Sequence, residues 1–124
     1  MGLIAIGDVH GCALTMDSLL DKLNPGSDDH LVFIGDYIDR GPDSKGVIDR
    51  LIKLKDEVKC TFLRGNHEEL LLGYLDMDEY DLWAINGGIS TLASYGDATD
   101  KSDIPDDHIA FVRETELYFE TEHF

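Results

Sequence analysis

Apolar residues recur along the first half of the chain in two alternating patterns. Short unbroken runs, Gly2-Leu3-Ile4-Ala5-Ile6, His30-Leu31-Val32-Phe33-Ile34 and Val58 to Leu63, have the length and texture of strands buried in a parallel sheet. Between them the spacing changes to a helical one. Met16, Leu19, Leu20 and Leu23 fall on one helical face, and so do Val47, Ile48, Leu51 and Ile52. Asn24-Pro25-Gly26 stops the first helix. Pro42-Asp43-Ser44 carries a cap signal for the second, and Lys53 and Lys55 sit near its C-terminal end, where the dipole favours cations. The order βαβαβ predicts an α/β fold with a parallel sheet and right-handed crossovers. Strand order is not readable from periodicity.

The second half changes character. Residues 76–103 are acidic and rich in Gly and Ser. Tyr80 to Ile85 reads as a short helix closed by Asn86-Gly87-Gly88, Ile89 to Tyr95 as another, and Pro105 to Arg113 as a third with Asp106 and Asp107 in its first turn. Leu117-Tyr118-Phe119 has strand character. The expectation is one domain over 1–124, a parallel sheet with an accessory helical layer.

Composition narrows the function classes. With 26 acids against 10 Lys plus Arg, the formal net charge is −16, which argues against non-specific binding to nucleic acid or to an anionic membrane surface. At 43% apolar and 29% charged residues the chain reads as globular. Cys12 and Cys60 form no CxxC and no zinc-finger spacing, so they read as reduced thiols. With no secretory or membrane-spanning run, the expected compartment is the cytoplasm.

The chemistry lies where the predicted strands end. The first strand delivers Gly7-Asp8-Val9-His10-Gly11, the second Gly35-Asp36-Tyr37-Ile38-Asp39-Arg40-Gly41, and the third Arg64-Gly65-Asn66-His67-Glu68. In a parallel sheet these three loops converge at one edge, and they recur at about 30 residues, the length of one βαβ unit. Asp8, His10, Asp36 and Asn66 form a set of oxygen and imidazole donors suited to Mn, Fe or Zn. Asp36, central among the loops, is the natural bridge between two ions, an arrangement that can clamp an in-line displacement at phosphorus.

These three motifs resemble the signatures of the calcineurin-like metallophosphoesterases. The second acid of the middle motif resembles the phosphoprotein phosphatase superfamily. Trp83, Asn86-Gly87-Gly88, Thr91-Leu92 and Ser94-Tyr95 resemble its small bacterial and bacteriophage lambda-type serine/threonine phosphatases. The resemblance implies the βαβαβ half of a metallophosphoesterase α/β sandwich, and two divalent metal ions, Mn foremost with Fe or Zn as alternatives. It implies that Asp8 and His10 ligate the first ion, that Asp36 bridges, and that Asn66 ligates the second ion and touches phosphate. Arg40 and Arg64 would bind phosphate oxygens. His67, paired with Asp39, would protonate the leaving alkoxide, and Glu68 would hold the loop.

The implied activity is hydrolysis of phosphomonoesters by a metal-bound hydroxide, with phosphoserine and phosphothreonine in proteins, or small phosphoesters, as substrates. A symmetrical dinucleoside tetraphosphate hydrolase is the alternative of the same superfamily. It usually lacks the second acid of the middle motif, so Asp39 favours the protein phosphatase. The family's further histidine ligands come from a later half of the sheet, beyond Phe124. His30 and His108 read as surface or packing residues, and His123 sits at the chain end. Hence a third reading is a truncated or regulatory half-domain without turnover, with weak metal occupancy and self-association through an exposed sheet edge.

Overall fold

The computed structural model describes residues 2–7, 9–96 and 100–118. Three strands, β1 (Gly2–Ile6), β2 (Asp29–Phe33) and β3 (Lys59–Phe62), form a parallel sheet in the order β1-β2-β3. Ile6 lies opposite Phe33, and Phe33 opposite Phe62, so all three strands finish in step. That register brings the three chemistry-bearing loops to one edge. Helices α1 (Ala13–Leu23) and α2 (Ser44–Leu54) make the two crossovers and pack against each other, as crossovers of one hand stepping in one direction require. Asp43 caps α2 through the amide of Gly46, at 2.9 Å.

Of the three apolar runs, only β2 is buried as deeply as the pattern predicts. Leu31 and Phe33 are fully enclosed, and they join Ile38, Val47, Ile48 and Leu51 at the centre of the core. β1 instead alternates: Ile4 and Ile6 turn toward the core while Leu3 and Ala5 are exposed. An edge strand covered on one face keeps the two-residue period of its side chains, and that is the arrangement here.

The accessory layer consists of α3 (Asn66–Met77), α4 (Tyr80–Trp83), α5 (Ile89–Ser94) and α6 (Asp106–Arg113), with α5 and α6 both against α2. The expected break at Asn86-Gly87-Gly88 is present: Asn86 and Gly87 leave helical dihedrals, Gly87 at φ 105°, and the chain bends there between α4 and α5. Glu116 forms a single parallel bridge with Leu63 at the outer edge of β3. Leu117 and Tyr118 beyond it are exposed and outside any strand, and Phe119 lies outside the described residues. Among the described residues no helix is long and apolar enough to cross a membrane.

The loops after β1 and β2 meet backbone to backbone. Asp43 N–H donates to Gly11 O at 2.9 Å, and a Cβ on Gly41 would overlap the carbonyl of His10. We therefore expect Gly41→Ala to lower the unfolding free energy by about 2 kcal/mol or more, the cost of overpacking against immovable backbone. Gly26→Ala, where a Cβ would meet nothing within 4 Å, is expected to change it little. Paired urea denaturations of the two variants measure the difference.

Candidate active site

The second loop is the hub onto which the other two fold. His10 N–H donates to Asp36 O at 2.9 Å and Gly11 N–H to Tyr37 O at 2.8 Å, which pins the first loop. The third loop is drawn in by Glu68, one turn into α3. Its carboxylate is wholly buried and accepts from the backbone amides of Asp36 (2.6 Å), Tyr37 (2.9 Å) and Gly65 (2.9 Å). Burial pushes the Glu68 carboxyl above the usual range, and the three amide donors pull against that shift. Tyr37 adds a second clasp, its hydroxyl donating to Leu63 O at 2.6 Å, and burial drives its phenol well upward.

Gly65 has no side chain with which to cap α3, and a Cβ there would collide with Asp36. The capping oxygen comes from the other loop: Asp36 Oδ1 accepts the His67 amide at 3.0 Å. A helix cap supplied across 31 residues of sequence is what fixes Asp36 against the start of α3.

His67 and Asp39 are joined, Nδ1 to Oδ2, at 2.9 Å. A carboxylate only accepts, so Nδ1 carries the proton and Nε2 is turned away from Asp39. Asp39 is fully buried, and its oxygens also accept from Trp83 Nε1 (3.0 and 2.9 Å) and Thr91 Oγ1 (2.6 Å). Burial is the largest influence on Asp39 and lifts its carboxyl above the ordinary range, against the pull of Thr91, His67 and Trp83. The rings of His67 and His10 meet edge to face, with centroids 4.7 Å apart. Arg40 is exposed, and its amide donates to Gly87 O at 3.1 Å. Arg64 is more committed: Nε meets Thr115 Oγ1 (2.9 Å), Nη2 meets Arg113 O (2.9 Å), and Nη1 faces Glu69 at 3.5 Å.

Among the described residues six non-glycine positions have positive φ. Asn24 and Asp78 are helix C-caps. The other four are His10, Asp36, Asp39 and Arg40, each of them a site residue expected from the sequence. Left-handed backbone costs on the order of 1 kcal/mol or more per residue and collects where a site over-determines it.

The donor set suits a divalent ion. His10 Nδ1 lies 3.0 Å from Ile38 O, which makes Nδ1 the protonated nitrogen and leaves Nε2 with its lone pair, the tautomer that a metal-binding imidazole uses. Asp36 spends Oδ1 on the helix cap, while Asn66 is exposed as the first residue of α3. Oxygen and imidazole donors of this kind fit a borderline to hard divalent ion. Among the described residues no three His, Cys, Asp or Glu side chains gather as a metal cluster. Asp8, expected as a further donor, and His123 lie outside the described residues.

His30 and His108 have partners elsewhere. His30 Nε2 pairs with Thr61 Oγ1 at 2.7 Å, and His108 is buried between the Tyr95 hydroxyl (2.8 Å) and Asp49 (2.6 Å). Trp83, Thr91 and Ser44 are site residues to which the motifs assign no part. Trp83 and Thr91 were visible only as points of resemblance in the accessory layer.

The sequence profile of the calcineurin-like phosphoesterases matches residues 1–123, and the chain belongs to that family. Among its relatives, serine/threonine-protein phosphatase 1 of Salmonella typhimurium is 40% identical over 84 residues, covering 67% of this chain and 37% of the relative. A zinc-dependent endopolyphosphatase of Saccharomyces cerevisiae is 33% identical over 107 residues, covering 84% of this chain and 31% of that protein. The crystal structure of a protein assigned as a diadenosine tetraphosphatase superposes with a TM-score of 0.62 at 26% identity, over 91% of this chain and 42% of that one. The chain thus spans about a third of the length of these curated relatives.

Glu68→Gln is the most direct probe of the loop clasp. An amide cannot offer two acceptor oxygens, so it must leave one of the three buried N–H donors unmet or turn an NH2 group against it. The expected loss is about 1–3 kcal/mol of unfolding free energy, read by urea denaturation.

Proposed function

We propose that this chain carries the half of a phosphoesterase site that binds divalent metal and delivers a proton to the departing alkoxide. We further propose that the substrates are phosphomonoesters, phosphoserine and phosphothreonine foremost. The observation that carries the reading is the Asp39–His67 pair at 2.9 Å, with Asp39 fully buried and His67 Nε2 on the side away from it.

Asp8, His10, Asp36 and Asn66 would hold two ions, Mn in the first instance, with Fe and Zn as alternatives. When bound, such ions supply Lewis acidity toward phosphoryl oxygen and lower the pKa of water. The chain's own groups do the rest. Asp36 and His10 present their donors from backbone held in a fixed, left-handed conformation. Arg40, exposed and with its amide held by Gly87 O, would bind phosphate oxygens. Arg64 reaches phosphate through Nη1 by exchanging it from Glu69. His67, as the imidazolium with a proton on each nitrogen, gives its Nε2 proton to the leaving oxygen, and Asp39 holds the Nδ1 proton and the ring orientation. Cys12 and Cys60 are both free thiols, which is compatible with a reducing compartment, and the cytoplasm is the proposed location.

Two further readings stay in view. A symmetrical dinucleoside tetraphosphate hydrolase is favoured by the structural likeness to the diadenosine tetraphosphatase. A half-domain that binds metal without turnover, and self-associates along the open edge of β1, is favoured by the share of the relatives' length that the chain covers.

The test compares a phosphoserine peptide, p-nitrophenyl phosphate and diadenosine tetraphosphate, with Mn or Zn and after chelation. Turnover of the two monoesters by the chain as it stands, lost on chelation and in Asp36→Asn, is expected. Asp39→Asn is expected to cut peptide turnover by roughly 100-fold or more, in the range of acid catalysis. p-Nitrophenyl phosphate, whose leaving group needs little protonation, should lose far less. Equal losses on both would sink the acid assignment. Turnover of the dinucleotide alone selects the second reading, and no turnover with any metal selects the third.

A further inference from the structure

Besides His67, Asp39 is held by groups that come from none of the three motif loops, and an ionised Asp39 fixes the direction of each of their hydrogen bonds. The Asp39 carboxylate can only accept, so Thr91 Oγ1 must donate to Oδ1, at 2.6 Å. The Asp39 amide can only donate, and it reaches Thr91 Oγ1 at 2.8 Å, with a longer branch to Ser44 Oγ at 3.1 Å. One lone pair is then left on Thr91, and Ser44 Oγ, 3.0 Å away, must send its proton there. The hydroxyl of Thr91 thus accepts twice and donates once, toward Asp39. All three residues are essentially excluded from solvent. Trp83 Nε1, equally buried, spans both carboxylate oxygens from the other side.

The effect is to leave Asp39 one unfilled direction. Oδ1 is taken by Thr91 and Trp83, and Oδ2 by Trp83 on one flank. The remaining lone pair of Oδ2 is the one that His67 Nδ1 meets. A carboxylate free to rotate could present any of its lone pairs to an imidazole. This one cannot rotate without breaking two or more buried hydrogen bonds, each expensive to leave unmade.

We propose that Trp83 and Thr91, with Ser44 behind Thr91, are the positioning residues of the Asp39–His67 pair. On this assignment the accessory helical layer sets the orientation and tautomer of His67 from α4 and α5, through Asp39. The inference rests on the reading of Asp39–His67 as the proton-delivering pair, but the arrangement itself is measurable in the chain with no metal and no substrate.

The experiment records the His67 side chain by 1H–15N NMR in the metal-free chain, and steady-state kinetics with Mn on a phosphoserine peptide and p-nitrophenyl phosphate. Wild type should show a slowly exchanging, downfield Nδ1–H of His67 and a protected indole N–H of Trp83. Thr91→Ser should keep the His67 signal. Thr91→Val and Trp83→Phe should lose it, with peptide kcat falling roughly 10-fold to 100-fold, the usual cost of an outer-shell partner. KM should hold, and p-nitrophenyl phosphate should suffer less. Should the larger changes prevent folding, Ser44→Ala removes one hydroxyl and should still shift the His67 resonance. An unmoved His67 signal in folded Thr91→Val, or in Ser44→Ala where that variant must decide, overturns the proposal, as do equal losses on both substrates. Loss of the signal in a chain without phosphatase activity upholds the positioning while overturning the function proposed above.

Discussion

The architecture of the site depends on one buried anion. The Glu68 carboxylate is buried, with three backbone amides in front of it, two from the loop after β2 and one from the loop after β3. Those amides are among the groups that a sharp turn leaves without partners, and a buried amide unmet is costly. Glu68 satisfies them together, and in doing so it fixes where Asp36 and the start of α3 stand relative to each other. The Asp36 cap on α3, the Asp39–His67 pair and the packing of His10 against His67 all presuppose that distance.

With the loops so fixed, the backbone is forced into shapes that ordinary residues avoid. His10, Asp36, Asp39 and Arg40 all have positive φ, although none is glycine. Asp and Asn tolerate that region better than most residues because their short polar side chains can bond locally. Here the two Asp side chains are not spent locally. Asp36 reaches a helix amide, and Asp39 an imidazole and an indole, so strain at these positions is offset by contacts between elements far apart in the chain.

The sheet was largely legible from the sequence because a parallel strand, its loop and its helix each carry their own signal within a few residues. The ends of the strands were legible for the same reason, and those ends hold the motif residues. What could not be read came from contacts made in space. The burial of β1 depends on which of its faces a helix covers, so Leu3 is exposed where the run of apolar residues suggested otherwise. The cap of α3 could not be read because Gly65 lacks a side chain and the oxygen arrives from Asp36. The partners of Asp39 other than His67 lie 44 and 52 residues away, in helices whose amphipathic pattern says nothing about a carboxylate.

Trp83 is the single tryptophan of the chain, and its ring stacks on Tyr74 at 5.4 Å while its N–H rests on Asp39. The whole indole emission of the protein therefore originates from one ring in a dry pocket, one hydrogen bond from the carboxylate that orients His67. Any event that turns that carboxylate, whether substrate, metal or a change in the loops, alters the surroundings of a chromophore already in place. The fold has its own optical reporter on the Asp39–His67 pair, with no label to attach and no other indole to subtract.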